Sequence, residues 1–280
     1  MSERSERVLT RYVDIAAILA DPRFAPPPAA PAGPLGSAAW LRGTVARFSA
    51  GEDHRRRRAA AVVDLAGVDV PTLRAAARAR ADKFPDVEGA ARRVPVEVLA
   101  TALGLDGRLA LEAVPAVARA YFGSAAPDAD AAVARLLDLA GPGDPETRAA
   151  RIGLLVQAYD ATAGLIGNAV AAARRHPSGR WPVSDLLAET LRYDPPVRQT
   201  RRLATVPLRI AGVAVSAGAI VVLDLAAANR DPSAFADPDV FRPGRGGPDP
   251  LTFGGPHRVC PGRDHALAIA TGVVEAVLAR

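Results

Sequence analysis

Apolar residues along this chain recur mainly at three- and four-residue intervals, the spacing of one face of an α-helix. The longest such run is Glu146 to His176. It sets Ile152, Leu155, Val156, Tyr159, Ala163, Ile166 and Val170 on helical spacing, and Pro177 ends it. Shorter helices are predicted over Gly51–Leu65, Leu73–Ala81, Val94–Leu103, Leu111–Ala120, Asp130–Ala140, Ser184–Tyr193 and Asp264–Leu278. Glu52 and Asp53 suit a helix start, Gly104 a helix end, and Ser184 an N-cap. Val8 to Ala20 begins strand-like and turns helical. Val206 to Leu225 reads as short strands with turns at Ala211-Gly212 and Ala217-Gly218. The Pro-rich Ala25–Pro34, the break Gly141–Pro145 and the Asp- and Pro-rich Asp231–Pro250 are connectors. No repeat and no domain boundary interrupts the pattern. The expectation is one domain over 1–280, mainly α with a small β portion.

Composition narrows this picture. Hydrophobic residues make up 49% of the 280 but aromatics only 5%, so Ala, Leu and Val must fill the core. A single cysteine excludes an intramolecular disulfide and fits a reducing compartment. Met1 to Thr10 is polar, and no apolar run reaches membrane-span length, so a cytoplasmic chain without membrane contact is expected. The net charge of +5 is almost all arginine, with Lys83 the single lysine. It would suit an acidic partner, but no nucleic-acid-binding module accompanies it, and no nucleic acid is expected.

The cysteine sits in Phe253-Gly254-Gly255-Pro256-His257-Arg258-Val259-Cys260-Pro261-Gly262. Upstream lie Glu189-Thr190-Leu191-Arg192, then Arg202-Leu203, Asn229-Arg230-Asp231-Pro232 and Arg245. In content and order these segments resemble the cytochrome P450 family of bacterial type. The resemblance runs from about Arg11 to the C-terminus. It implies an abbreviated cytochrome P450 fold that lacks much of the N-terminal sheet, the lid helices and the C-terminal hairpin.

The resemblance also implies haem b (iron protoporphyrin IX) as cofactor. Cys260 would be the thiolate ligand to iron, with Phe253, Gly254 and Gly262 shaping the loop around it. Arg258 and Arg202 match propionate-binding positions, and so do His54 and Arg58, which share a helix face. Glu189, Arg192 and Arg245 match a structural set that ties the cysteine loop to the helices. Asn229 to Pro232 reads as a turn without chemistry. On the long helix Ala158 matches a small residue beside the haem, Asp160 the acid of a proton relay, and Thr162 stands one place after the family's threonine.

Three departures shape the functional expectation. Pro256 replaces a glycine, leaving Gly255 to supply a positive φ one residue earlier. Ala161 occupies the relay threonine's place, and Gln157 stands where a small residue would leave room above the iron. The deletions fall on the substrate side, so the distal pocket is expected to be open unless a partner chain covers it. The implied function is oxidation of a small-molecule substrate in bacterial specialised metabolism, driven by a ferredoxin-type donor or by peroxide. Arg55 to Arg57 are candidates for docking such a donor. The alternatives are a non-redox haem catalyst of the isomerase or dehydratase type, and a non-catalytic P450-fold protein that binds a partner.

Overall fold

The computed structural model describes residues 7–31, 33–123, 126–177, 179–210 and 212–280. It is 57% helix and 8% strand, which makes the chain mainly α. The chain divides into two compact units. One comprises residues 1–27 and 179–260, the other residues 28–178 and 261–280.

The first unit holds the strands. β1 (Arg7–Leu9), α1 (Tyr12–Leu19) and β2 (Phe24–Ala25) come from the N-terminal segment. After α9 (Val183–Tyr193) follow β3 (Gln199–Ala204), β4 (Leu208–Ile210), β5 (Val213–Val215) and β6 (Ile220–Asp224), with the short α10 (Leu225–Ala228) directly after. The main sheet has the order β1-β6-β3-β2, with β1 parallel to β6 and the other pairs antiparallel. β6 is central, and its run Val221-Val222-Leu223 is buried throughout, as a strand covered on both faces requires. Ile15, Ile18 and Leu19 of α1 pack with Phe24, Ala204, Leu223 and Leu251 into this unit's core.

Sequence pattern alone missed β3. Its residues Gln199-Thr200-Arg201-Arg202 look like a polar loop, yet pairing with β6 sets Arg202 opposite Val221. β4 and β5 form the expected hairpin, although Ala211 of its turn lies outside the described residues. Ser184 is not the N-cap of α9. Pro182 holds that position, and Ser184 lies within the first turn.

The second unit is helical. It contains α2 (Ala38–Thr44), α3 (Gly51–Ala66), α4 (Val70–Ala81), α5 (Val87–Ala102), α6 (Gly107–Tyr121), α7 (Ala129–Leu139), α8 (Pro145–Arg175) and α11 (Arg263–Leu278). Side chains of Asp69, Asp86, Asp106 and Asp144 accept backbone N–H groups at the starts of α4, α5, α6 and α8. These caps explain why α4 and α5 begin earlier than periodicity suggested, α5 despite carrying Pro95 inside it. α8, 31 residues long, runs through this unit and packs against α3, α5, α6 and α11. The shortened segment between Gly104 and Glu146, where the lid helices were expected to be lost, folds as α6 and α7.

Candidate functional site

The first unit is locked by a buried ionic set. Glu189 of α9 has a side chain only 1% exposed, a position a carboxylate tolerates only when fully paired. Arg192 donates to it from Nε (2.9 Å) and Nη2 (2.8 Å). Arg245 adds Nε at 3.1 and 3.0 Å from the two oxygens, and the main-chain N–H of Arg242 donates to Oε1 at 2.7 Å. The arginines reach onward to backbone carbonyls. Arg192 donates to Asn229 (3.0 Å) and Pro238 (2.8 Å), and Arg245 to Ala236 (2.6 Å). The Pro- and Asp-rich loop is thus tied to α9 without regular structure of its own.

Asn229 is the residue that sequence reasoning undervalued. It is fully buried. Its amide donates to the Leu191 carbonyl (3.3 Å) and to Thr252 Oγ1 (3.1 Å), while its Oδ1 accepts from the Leu251 N–H at 2.9 Å. It therefore fastens α9 to the segment that enters the cysteine loop. An asparagine in a turn gives little hint of this, because its partners lie 22 to 38 residues away.

Two backbone hydrogen bonds shape the loop itself. Cys260 N–H donates to the Phe253 carbonyl at 2.8 Å, closing the loop across its base. Arg258 N–H donates to the Gly255 carbonyl at 2.9 Å, closing a four-residue turn with Pro256 and His257 at its corners. Pro256 stands at the second turn position, where its fixed φ is favoured and no N–H is required. The positive φ falls on Gly254 (83°), not on Gly255 as expected. A Cβ at Gly254 would also come within 2.9 Å of the Arg258 carbonyl oxygen. Gly255 serves close approach instead, since a Cβ there would sit 2.7 Å from Leu19 Cβ. The proline is accommodated because the turn and the positive φ use different residues. Phe253, Arg258 and Cys260 are each half-buried, so the sulfur lies neither in the core nor fully in solvent. Gly262 follows as the N-cap residue of α11.

Arg202 is buried on β3, where its Nη1 donates to Thr200 Oγ1 (3.0 Å) and to the Arg201 carbonyl (2.8 Å). The four consecutive arginines of α3 have different fates. Arg55 pairs with Glu52. Arg56 and Arg57 both donate to Glu146 at the start of α8, at 2.7 and 2.9 Å. Arg57 also reaches the Gly43 carbonyl and Ser49 Oγ. Arg55 to Arg57, the candidate docking residues, are thus ion-paired within the chain while Arg55 and Arg56 stay largely exposed, and Arg56 and Arg57 clamp α3 to α8. The same pairing holds Glu146 well below the usual carboxylate range, at about 2. Arg58 is half-buried and has no carboxylate partner among the described residues. With His54 it continues the helix face that buries Ala61 and Leu65.

On α8 the expected relay residues point apart. Asp160 is exposed and Thr162 is buried at 3%, as two residues about 200° apart on a helix must be when one faces the core. Ala158 and Ala161 are half-buried, and a Cβ at Gly167 would meet nothing within 4 Å. Gln157 does not project outward from the helix. Its Nε2 donates to the Gly153 carbonyl at 2.9 Å, folding the side chain back along α8.

These residues fit one kind of metal group. A bare ion needs several protein donors, and no cluster of three or more His, Cys, Asp or Glu able to hold one occurs among the described residues. A haem supplies most of its iron's ligands itself and would need one strong protein donor, for which half-buried Cys260 on its tightly turned loop is the candidate. A lone cysteine on a tightly closed loop is what a haem-thiolate protein would require.

Known proteins agree. A family profile described as Cytochrome P450 matches residues 183–279. The chain is 37% identical over 165 residues to a putative cytochrome P450 140 of Mycobacterium tuberculosis (strain ATCC 25618 / H37Rv), covering 52% of this chain and 36% of that protein. It is 37% identical over 134 residues to the biotin biosynthesis cytochrome P450 of Bacillus subtilis (strain 168), covering 45% and 34%. The matched stretches thus span about a third of these relatives' length. In three dimensions it resembles P450BioI, solved in complex with hexadec-9Z-enoic acid ligated acyl carrier protein. That match has a TM-score of 0.84 at 24% identity, covering 97% of this chain and 84% of that one. CalO2 follows with a TM-score of 0.81 at 23% identity, covering 98% and 82%. Residues 183–279 thus match the cytochrome P450 family, and the described chain has the fold of cytochrome P450 structures. No helix among its described residues is long and apolar enough to cross a membrane.

Proposed function

We propose that the two units act together as one haem domain, and that the chain is a cytoplasmic haem-thiolate oxidoreductase acting on a small molecule. The observation that carries this reading is Cys260, held half-buried on a loop closed by its own N–H to Phe253. Cys260 would ligate the iron of haem b, and Arg58, His54, Arg202 and Arg258 would meet its propionates. When bound, a thiolate-ligated haem supplies oxidising power, because sulfur donation favours O–O cleavage. The protein's own share is to hold the sulfur, to leave the Ala158–Ala161 face of α8 open, and to supply protons through Asp160. An exposed carboxylate exchanges protons with water freely, which suits a relay entrance. Electrons would come from a ferredoxin-type donor or from peroxide.

One observation favours a second reading. Ala161 has no hydroxyl and Thr162 is buried, so α8 presents no threonine hydroxyl beside Asp160. A non-redox haem catalyst needs none.

The test begins with a reduced CO-difference spectrum of the haem-loaded chain. A red-shifted Soret band, lost in Cys260→Ser, supports the proposal, and a chain that takes up no haem refutes both readings. Product formed with peroxide or with reduced ferredoxin then supports oxidation. Turnover of a substrate with neither oxidant moves the assignment to the non-redox reading.

A further inference from the structure

The helical unit holds a cavity of about 470 Å³ that shares no lining residue with the cysteine loop or with α8. It lies between α4 and α5, beside the Gly67–Asp69 connector. Val68, Leu73 and Val98 give it apolar walls, and the short side chains of Ala76, Ala79 and Ala102 leave room for a ring. Its volume falls within the roughly 300–1,000 Å³ of small-molecule pockets, which hold an apolar body and fix it with a few polar groups.

Four charged residues line the same cavity, the carboxylates of Asp69 and Glu97 and the cations of Arg80 and Lys83. Because their charges cancel, an ionised ligand would bring an unmatched charge into the cavity, which costs more than burying a neutral one. Their hydrogen-bonding capacity is not used up. Asp69 is engaged at the start of α4, where it accepts from the Thr72 N–H at 2.8 Å. Arg80 donates from Nε to Glu97 Oε1 at 2.8 Å, and its guanidinium is braced 4.7 Å from the Phe84 ring centre. The two Nη groups of Arg80 and the exposed Lys83 ammonium have no hydrogen-bond or ion-pair partner among the described residues. Glu97 accepts that single bond, where a carboxylate has sites for about four. Its side chain is 21% exposed, and its Oε2 is buried without a partner. The ion pair thus lacks a donor on its acidic side and an acceptor on its basic side.

We propose that this cavity binds a neutral aromatic primary amide. The amide N–H₂ donates to Glu97, the amide carbonyl accepts from Arg80 or Lys83, and the ring lies against Val68, Leu73 and Val98. The terminal torsion of a glutamate is broad, so the Glu97 carboxylate can turn one oxygen to the N–H₂ while Arg80 keeps the other. The site lies outside the candidate haem residues and does not depend on the haem reading.

Isothermal calorimetry on the full chain with naphthamide, methyl naphthoate and naphthoate tests it. The ester keeps the ring and the carbonyl but has no N–H. Naphthamide should bind at least about tenfold tighter, the size of one hydrogen bond to a charged group. Glu97→Gln should remove most of that difference and leave ester binding unchanged, which also reports an intact cavity. Ala76→Phe, at an exposed lining position, should block both ligands. Lys83 is the single lysine, so slower reductive methylation of its side chain in the presence of naphthamide should place the ligand beside it. Equal affinity for amide and ester would overturn the proposal. Binding that survives Ala76→Phe and leaves Lys83 methylation unchanged would also overturn it, because the ligand would then sit elsewhere. Naphthoate binding tighter than naphthamide would overturn the neutral-amide assignment.

Discussion

Glu189→Gln is the substitution with the sharpest expected consequence for the fold. The change preserves shape, so no cavity explains its effect. It removes the only carboxylate among the described residues that pairs with the buried Arg192 and Arg245 guanidiniums, whose side chains are 2% and 9% exposed. It also turns an N–H₂ group toward donors. Leaving buried charge uncompensated costs about 3–5 kcal/mol, roughly a fifth or more of a typical domain's roughly 5–15 kcal/mol. With a urea slope of about 1–3 kcal/mol per molar, the midpoint should fall by about 1 M or more. Urea titration followed by far-UV circular dichroism measures it. Arg242→Ala is the control. Arg242 gives Glu189 only its main-chain N–H, and its side chain pairs with exposed Asp237, so the midpoint should hardly move. A Glu189→Gln midpoint within about 0.5 M of the parent would refute the claim that this set holds the loop, since that is below the smallest shift expected.

Three further outcomes follow from the same geometry. Glu146 is held at about 2 by Arg56 and Arg57, below its ordinary 4.5, so its contribution is present above pH 4.5 and disappears as pH falls toward 2. Allowing for its partial exposure, Glu146→Gln should cost about 1–2 kcal/mol at neutral pH, and the two proteins' melting curves should converge near pH 2. Gly254→Ala forces a side chain into φ 83° against the Arg258 carbonyl, a strain of about 1–3 kcal/mol, and should weaken haem uptake in a titration. Asn229→Ala leaves the buried Leu251 N–H without its acceptor and should cost about 2 kcal/mol by thermal melting, with faster amide exchange at Leu251.

The parts of the site that were legible in the sequence are those whose chemistry is local. The cysteine loop is ten consecutive residues, and Glu189 and Arg192 sit three apart on one helix. The long periodicity of α8 fixed its core face, and Thr162 falls on that face. What stayed hidden depends on distant partners. Asn229 looks like a turn residue until Leu191 and Leu251 are beside it. β3 looks like a polar loop until β6 pairs with it. The arginine run of α3 gave no sign that Glu146 would claim two of its members and leave Arg58 without a carboxylate. The consequence of Pro256 was misjudged because the backbone divides two tasks between neighbouring glycines, positive φ at Gly254 and close approach at Gly255.

The central claim is that Cys260 binds haem iron as a thiolate. The CO-difference spectrum of the reduced, haem-loaded chain and of Cys260→Ser tests it most directly. The account predicts a red-shifted Soret band in the parent that Cys260→Ser abolishes. An identical spectrum in both proteins would contradict it.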